Sequence, residues 1–160
     1  TFAEICAKAI KHVGYQPCLW QIRVVKAILK HDGDVVCIVA TGSGKTLTFW
    51  LPLLLWPVGI QLVISPLNIL GEQNLEQLAA MVRSAIIIVT NVEMLMKQDR
   101  GFEKLWKKPE FTHRLISIAW DEGHCVSRWA GFWPEYKEVG RLRYLIPRDI
   151  PFVIVSATLP

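Results

Sequence analysis

Five short apolar runs punctuate the chain: Val35–Val39, Gln61–Ser65, Ala85–Val89, Leu115–Trp120 and Phe152–Ser156. Each reads as a strand. They are nearly continuous in hydrophobicity rather than alternating, which is the pattern of parallel strands covered on both faces. Helical spacing of apolar positions fills the intervals. Ala3–His12 repeats with that period and stops near Gly14, and Gln21–Lys30 sets Ile22, Val25, Ile28 and Leu29 on one face. Lys45–Leu54 and Leu67–Met81 read as two further helical segments. Strands alternating with amphipathic helices predict an α/β domain, a mostly parallel sheet with helices on both faces. In such a sheet ligands bind at the carboxyl ends of the strands.

No charged side chain occurs between Lys45 and Glu72, a length that could in principle cross a bilayer. Pro52, Pro57, Gly59 and Pro66 cut the stretch into pieces, and Gln61 and Ser65 lie inside it. A buried helix feeding a second buried strand accounts for it, and no membrane is expected.

The first strand breaks into Ala40-Thr41-Gly42-Ser43-Gly44-Lys45-Thr46. Small residues followed by Gly-Lys-Thr after a buried strand read as a phosphate-binding loop. Backbone N–H groups of Thr41–Thr46 and the N-terminus of the next helix can converge on an anion. Gly42 and Gly44 remove the Cβ that would block close approach. In this pattern Lys45 reaches the β- and γ-phosphates and the Thr46 hydroxyl sits on Mg²⁺. The expectation is a nucleoside triphosphate site.

Composition narrows the class. The 160 residues are 52% hydrophobic with seven Trp, enough for one folded domain without metal or disulfide staples. The net charge of +4 is compatible with a nucleic-acid partner. Cys6, Cys18, Cys37 and Cys125 are scattered, with no C-x-x-C pair, so they read as free thiols in a reducing compartment rather than zinc ligands. Thr1–Ala9 carries Glu4 and Lys8 among its apolar residues, unlike a secretory leader, and predicts an intracellular protein.

Directly after Leu115–Trp120 stands Asp121-Glu122-Gly123-His124. Adjacent carboxylates at a strand end can divide the labour. Asp121 can hold Mg²⁺ through water, and Glu122 can polarise the water that attacks a γ-phosphate. Ser156-Ala157-Thr158 follows the last apolar run in the same way.

The ordered set ATGSGKT, VISPL (Val63–Leu67), DEGH and SAT resembles the first RecA-like domain of superfamily 2 helicases. The segment after DEGH sharpens the likeness. His124-Cys125-Val126-Ser127-Arg128-Trp129, Phe132-Trp133-Pro134-Glu135-Tyr136-Lys137 and Leu142-Arg143 look like the aromatic-rich loop of RecQ-type DNA helicases. That resemblance implies an ATP- and Mg²⁺-dependent motor moving 3′ to 5′ on single-stranded or tailed duplex DNA. It places Trp129, Phe132, Tyr136 and Arg128, with Ser156 and Thr158, on the DNA side. Stacking of rings on bases beside an arginine suits single strands, and a core position for Tyr136 stays open. Gln21, in the N-terminal helical segment 1–31, matches the glutamine that reads adenine, and His124 joins the nucleotide-facing set. Residues 1–160 would form one RecA-like domain, partnered by a second RecA-like domain of the same full-length protein. Without that second domain, weak nucleotide binding and poor hydrolysis are expected. Nuclear residence is implied if the source is eukaryotic.

Several positions depart from the family pattern. Val39 replaces the first glycine of the loop, as in many helicases, and Gly123 stands where alanine is usual, a small change expected to preserve the carboxylates. Cys18 occupies the arginine position before Gln21, and Trp133 replaces a basic residue in an aromatic loop one residue short. Thr90-Asn91-Val92-Glu93 lacks the proline and arginine of a DNA-contact motif, and only Val82-Arg83-Ser84 separates Met81 from the strand at Ala85. An RNA helicase of the DEAD/DEAH kind, or a nucleic-acid-binding module without turnover, remains open. Lys97, Arg100, Lys104, Lys107 and Lys108, and likewise Arg141, Arg143 and Arg148, read as solvated charge rather than a phosphate track, although Arg143 matches a recurrent position of the family.

Overall fold

The structure, a computed structural model, describes residues 1–65, 86–96, 102–125, 139–146 and 149–158. The expected helix Leu67–Met81, the loop residues Arg128, Trp129, Phe132, Trp133 and Tyr136, and Lys97, Arg100 and Arg148 lie outside the described residues.

Two helices open the chain, α1 (Phe2–Val13) and α2 (Leu19–Lys30). Thr1 and Glu4 form a capping box at the start of α1, and Gly14, at φ 80°, ends it. Strand β1 (Val35–Ile38) leads through the glycine loop to α3 (Leu47–Leu55), and β2 (Ile60–Ile64) follows. Then come β3 (Ile86–Thr90), α4 (Val92–Met96), α5 (Phe102–Trp106), α6 (Pro109–Thr112) and β4 (Leu115–Asp121). A 3₁₀ turn at Val139–Arg141, α7 (Leu142–Leu145) and β5 (Phe152–Ser156) complete the described chain. The five strands pair in the order β1-β5-β4-β2-β3, and every pairing is parallel. The expected α/β class and parallel sheet are observed, with strand limits within one residue of those read from the sequence.

Successive side chains along the strands feed opposite layers. Ile60, Leu62, Ile64, Leu115 and Trp120 pack with Val92, Leu95, Trp106, Phe111, Leu142 and Ile146 on one face. Val63, Ile116, Ala119, Val153 and Val155 pack with Val24, Ile28, Phe49 and Leu53 on the other. Leu51 and Leu54 meet Ile5, Ala9, Ile22 and Val25 in a further cluster. Helix α3 is thus covered all round, which explains the long uncharged stretch. No helix among the described residues is long and apolar enough to cross a membrane.

Arg143 corrects a sequence expectation. It is not solvated charge. Its guanidinium donates to both Asp34 oxygens, at 2.5 and 2.7 Å, and to Ile150 O at 2.7 Å, and stacks 4.0 Å from the centre of the Phe152 ring. Asp34 Oδ1 also accepts from Phe152 N at 2.9 Å. The arginine therefore fastens α7 to the segments that lead into β1 and β5.

Candidate nucleotide site

Because all strands run the same way, β1, β5 and β4 present their carboxyl ends on one edge, with β5 between the other two. The edge is drawn tight by backbone bonds: Val39 N donates to Ser156 O at 2.9 Å, and Gly123 N to Val155 O at 3.0 Å. The loop after β1 and the acidic turn after β4 consequently face each other across the end of β5.

Gly42 and Gly44 adopt φ 82° and 77°, the left-handed region where glycine is at home. A Cβ on Gly44 would also stand 2.9 Å from Gln21 Nε2. Ser43 N donates to Ala40 O at 3.3 Å to close the turn, while Thr41, Gly42 and Gly44 stay exposed. Helix α3 begins two residues later than the sequence suggests. Lys45 and Thr46 are wound in a tighter turn, with Thr48 N bonding Lys45 O and Phe49 N bonding Thr46 O. The Thr46 side chain makes no capping bond to the helix, which leaves its hydroxyl uncommitted to α3.

Gln21 is only 3% exposed. Its Oε1 accepts from Cys18 N at 2.7 Å, half of a capping box for α2, and its Nε2 donates to Gly44 O at 2.9 Å. The amide expected to read adenine also ties α2 to the glycine loop. One acceptor lone pair remains on Oε1.

Lys45 points toward the acidic turn. Its side chain is 10% exposed, and Nζ lies 3.7 Å from Glu122 Oε1. Among the described residues that buried nitrogen has no hydrogen-bond partner, a costly state for an ammonium with three donors. Glu122 has a left-handed backbone, φ 52°, uncommon for a residue with a side chain. Its other oxygen, Oε2, is 3.3 Å from His124 Nδ1. The same ring nitrogen is 3.0 Å from Ser156 Oγ, and Ser156 Oγ donates to Thr158 O at 2.6 Å. Burial, and secondarily the adjacent Glu122 charge, push the Asp121 carboxyl above the usual range; the Glu122 N–H and Lys45 pull the other way. Burial likewise raises the Cys37 thiol against the opposing pull of Lys45.

The donor set fits a magnesium-bound triphosphate. An orphaned buried ammonium needs acceptor oxygens, and the open glycine turn offers backbone donors to the same anion. Two crowded carboxylates, one held above its usual range by burial first and by its neighbour second, suit a divalent cation.

Of the expected site residues, Gln21, Thr41–Thr46, Asp121, Glu122, His124 and Ser156 share this edge. Ser156, expected on the DNA side, is fully buried, with its hydroxyl 3.0 Å from His124 Nδ1 and bonded to Thr158 O. Thr158 is exposed. The contacts of Gln21 with Gly44 and of His124 with Ser156 were not read from the sequence. Both join segments distant in the chain, and only their shared strand-end positions hinted at them.

The sequence model of the DEAD/DEAH box helicase family matches residues 19–160. The chain therefore belongs to the DEAD/DEAH box helicase family, in a RecA-like α/β fold. Within it the similarity is to RecQ-type proteins. ATP-dependent DNA helicase RecQ of Haemophilus influenzae is 34% identical over 157 residues, covering 86% of this chain and 25% of that protein. ATP-dependent DNA helicase Q5 of Rattus norvegicus is 31% identical over 163 residues, covering 86% of this chain and 16% of that protein. The chain thus spans a quarter or less of the length of these two relatives. Among solved structures, the DUF1998 helicase MrfA bound to DNA superposes with a TM-score of 0.64 at 20% identity, over 96% of this chain and 26% of that one. Dbp5 of S. cerevisiae, bound to RNA and ADP BeF3, gives 0.63 at 17% identity, over 98% and 44%. These two likenesses concern the fold.

Proposed function

We propose that this chain is the ATP-binding motor domain of a RecQ-like, ATP-dependent DNA helicase. The observation that carries the reading is the meeting of Lys45 with Glu122 across the end of β5, with Asp121 beside them. Lys45 and the backbone of Thr41–Thr46 hold the phosphates, and Thr46 and Asp121 hold Mg²⁺. Bound magnesium neutralises phosphate charge and orients the transferring group. Glu122 accepts the proton of the attacking water, steadied by His124. Gln21 sets the depth of the glycine loop and, with its remaining lone pair, the amino edge of adenine. The names of the curated relatives support ATP as the nucleotide and DNA as the track.

Trp129, Phe132, Tyr136 and Arg128 stack on and neutralise single-stranded DNA, joined by Thr158 as a further DNA contact. Ser156 relays from β5 to His124 rather than touching DNA. A second RecA-like domain completes the site, and its closure over nucleotide moves the strand 3′ to 5′.

Phosphate release by the intact protein, at saturating ATP and Mg²⁺ with single-stranded DNA, tests this. Stimulation by DNA is expected, and Glu122→Gln should slow it by about 10²- to 10⁴-fold. Equal stimulation by RNA would favour an RNA motor, and no stimulated release at all would favour a binding module.

A further inference from the structure

Gly123 is buried in the turn that follows β4, and its N–H is bonded to Val155 O. In the β4–β5 register Trp120 faces Ile154 and Asp121 faces Val155, so the turn folds back over Ile154. A Cβ on residue 123 would stand 2.4 Å from Ile154 Cγ2 and 3.7 Å from Val155 O. Carbon atoms pack at about 3.5–4.0 Å. The γ2 methyl of Ile154 therefore fills the volume that an alanine methyl would take. Isoleucine is stiff at χ1, so this methyl cannot swing aside as the end of a lysine would.

The restriction is steric. Gly42 and Gly44 have positive φ, but Gly123 does not, so its backbone would accept alanine if the space were free. The position directly before it is Glu122, held at φ 52°. A residue with a side chain keeps that conformation only where its surroundings fix it. On one side Glu122 N donates to Asp121 Oδ1 at 3.1 Å. On the other, Cys125 N donates to Glu122 O at 2.9 Å, and Gly123 is pressed on Ile154.

We propose that Gly123 and Ile154 are positioning residues for Glu122, their direct contact setting the turn that aims its carboxylate between Lys45 and His124. The inference rests on the reading of Glu122 as the general base. It makes position 123 of the acidic box and position 154 of the neighbouring strand a matched pair: alanine at one requires a smaller side chain at the other.

The test is a double-variant cycle in the intact protein, measuring kcat and KM for DNA-stimulated ATP hydrolysis and the melting temperature. Gly123→Ala displaces the turn by about 1 Å, which is expected to lower kcat by about 100-fold. KM for ATP should change less than threefold, because the glycine loop is untouched. Adding Ile154→Ala to Gly123→Ala should raise kcat at least tenfold over Gly123→Ala alone. Unchanged kcat in Gly123→Ala with only a lowered melting temperature, or a double variant as slow as the single, would overturn the proposal. Crystal structures of the single and double variants read the same displacement without turnover. Glu122 Oε1 should leave Lys45 in the first and return in the second, and a carboxylate that stays put in Gly123→Ala refutes the positioning. If the wild type shows no DNA-stimulated hydrolysis, the motor reading fails while these structures still decide the matched pair.

Discussion

Lys45 Nζ stands 3.7 Å from Glu122 Oε1, buried and, among the described residues, without a hydrogen bond, so the cation meets an opposite charge it does not fully engage. The distance is that of a loose ion pair. An ammonium in this state can exchange a poor partner for a better acceptor, which is the part the proposed function gives it toward phosphate oxygens.

Lys45→Met should separate binding from folding. Wild-type protein at 100 times the dissociation constant of ATP with Mg²⁺ gains about 2.7 kcal/mol. For a domain of this size that is a rise of about 5–10 °C in melting temperature. The variant should show no rise. Without nucleotide it should melt no lower than wild type, because an unsatisfied buried donor is removed. A nucleotide-dependent shift retained in Lys45→Met would reject the phosphate role.

Asp121 gives a prediction about pH. Its carboxyl is raised in the folded protein by burial first and by Glu122 second, so the folded state keeps the proton after the unfolded chain has lost it. Stability therefore falls as pH climbs from the ordinary aspartate value, about 3.9, through the raised folded value, and the full loss persists above that window. Asp121→Asn should raise the melting temperature at pH 7, and the advantage should vanish below about pH 4. The same variant should lose Mg²⁺-dependent hydrolysis. A stability gain independent of pH would contradict this account.

Gln21 offers a comparison between two substitutions. Gln21→Ala removes the bonds to Cys18 N and Gly44 O and should cost about 1–2 kcal/mol. Gln21→Glu keeps the shape but turns an acceptor toward Gly44 O, so at pH 7 it should be the more damaging of the two. Thermal melts and nucleotide affinity measured side by side decide it. Equal effects would mean that the tie to the glycine loop carries no weight.

Asp34 and Arg143 should couple. Each is partly exposed, which limits the pair, but the geometry is two-pronged and shared with Ile150 O and Phe152 N. Single alanine variants should each cost about 1–2 kcal/mol, with coupling of about 1 kcal/mol in the double variant. Arg143→Lys should not restore it, since an ammonium lacks the planar fork. Additive losses would show that the two act independently.

The layered architecture was legible because apolar strands and helical spacing are local signals. The glycine turn before Lys45 was legible too, since two glycines so close together announce positive φ in a short window. What joins segments was not. Arg143 looks like one surface arginine among several until Asp34 appears beside it. Ser156 sits in a short polar motif that suggests an exposed contact, yet parallel pairing on both sides of β5 buries it. Gly123 for alanine looks like a trivial loss of a methyl, and only the packing of Ile154 reveals what occupies the vacated space. Strand order escapes the sequence for the same reason: β1 and β4 become near neighbours through a strand that comes last.

That late strand has a mechanical consequence. Since β5 is wedged between the two strands that deliver the lysine and the carboxylates, it acts as the keystone of the arch. Thr158 is tied through Ser156 to His124 on one flank, and Ser156 is bonded to Val39 on the other. The end of β5 thus holds the lysine side and the carboxylate side in one fixed frame.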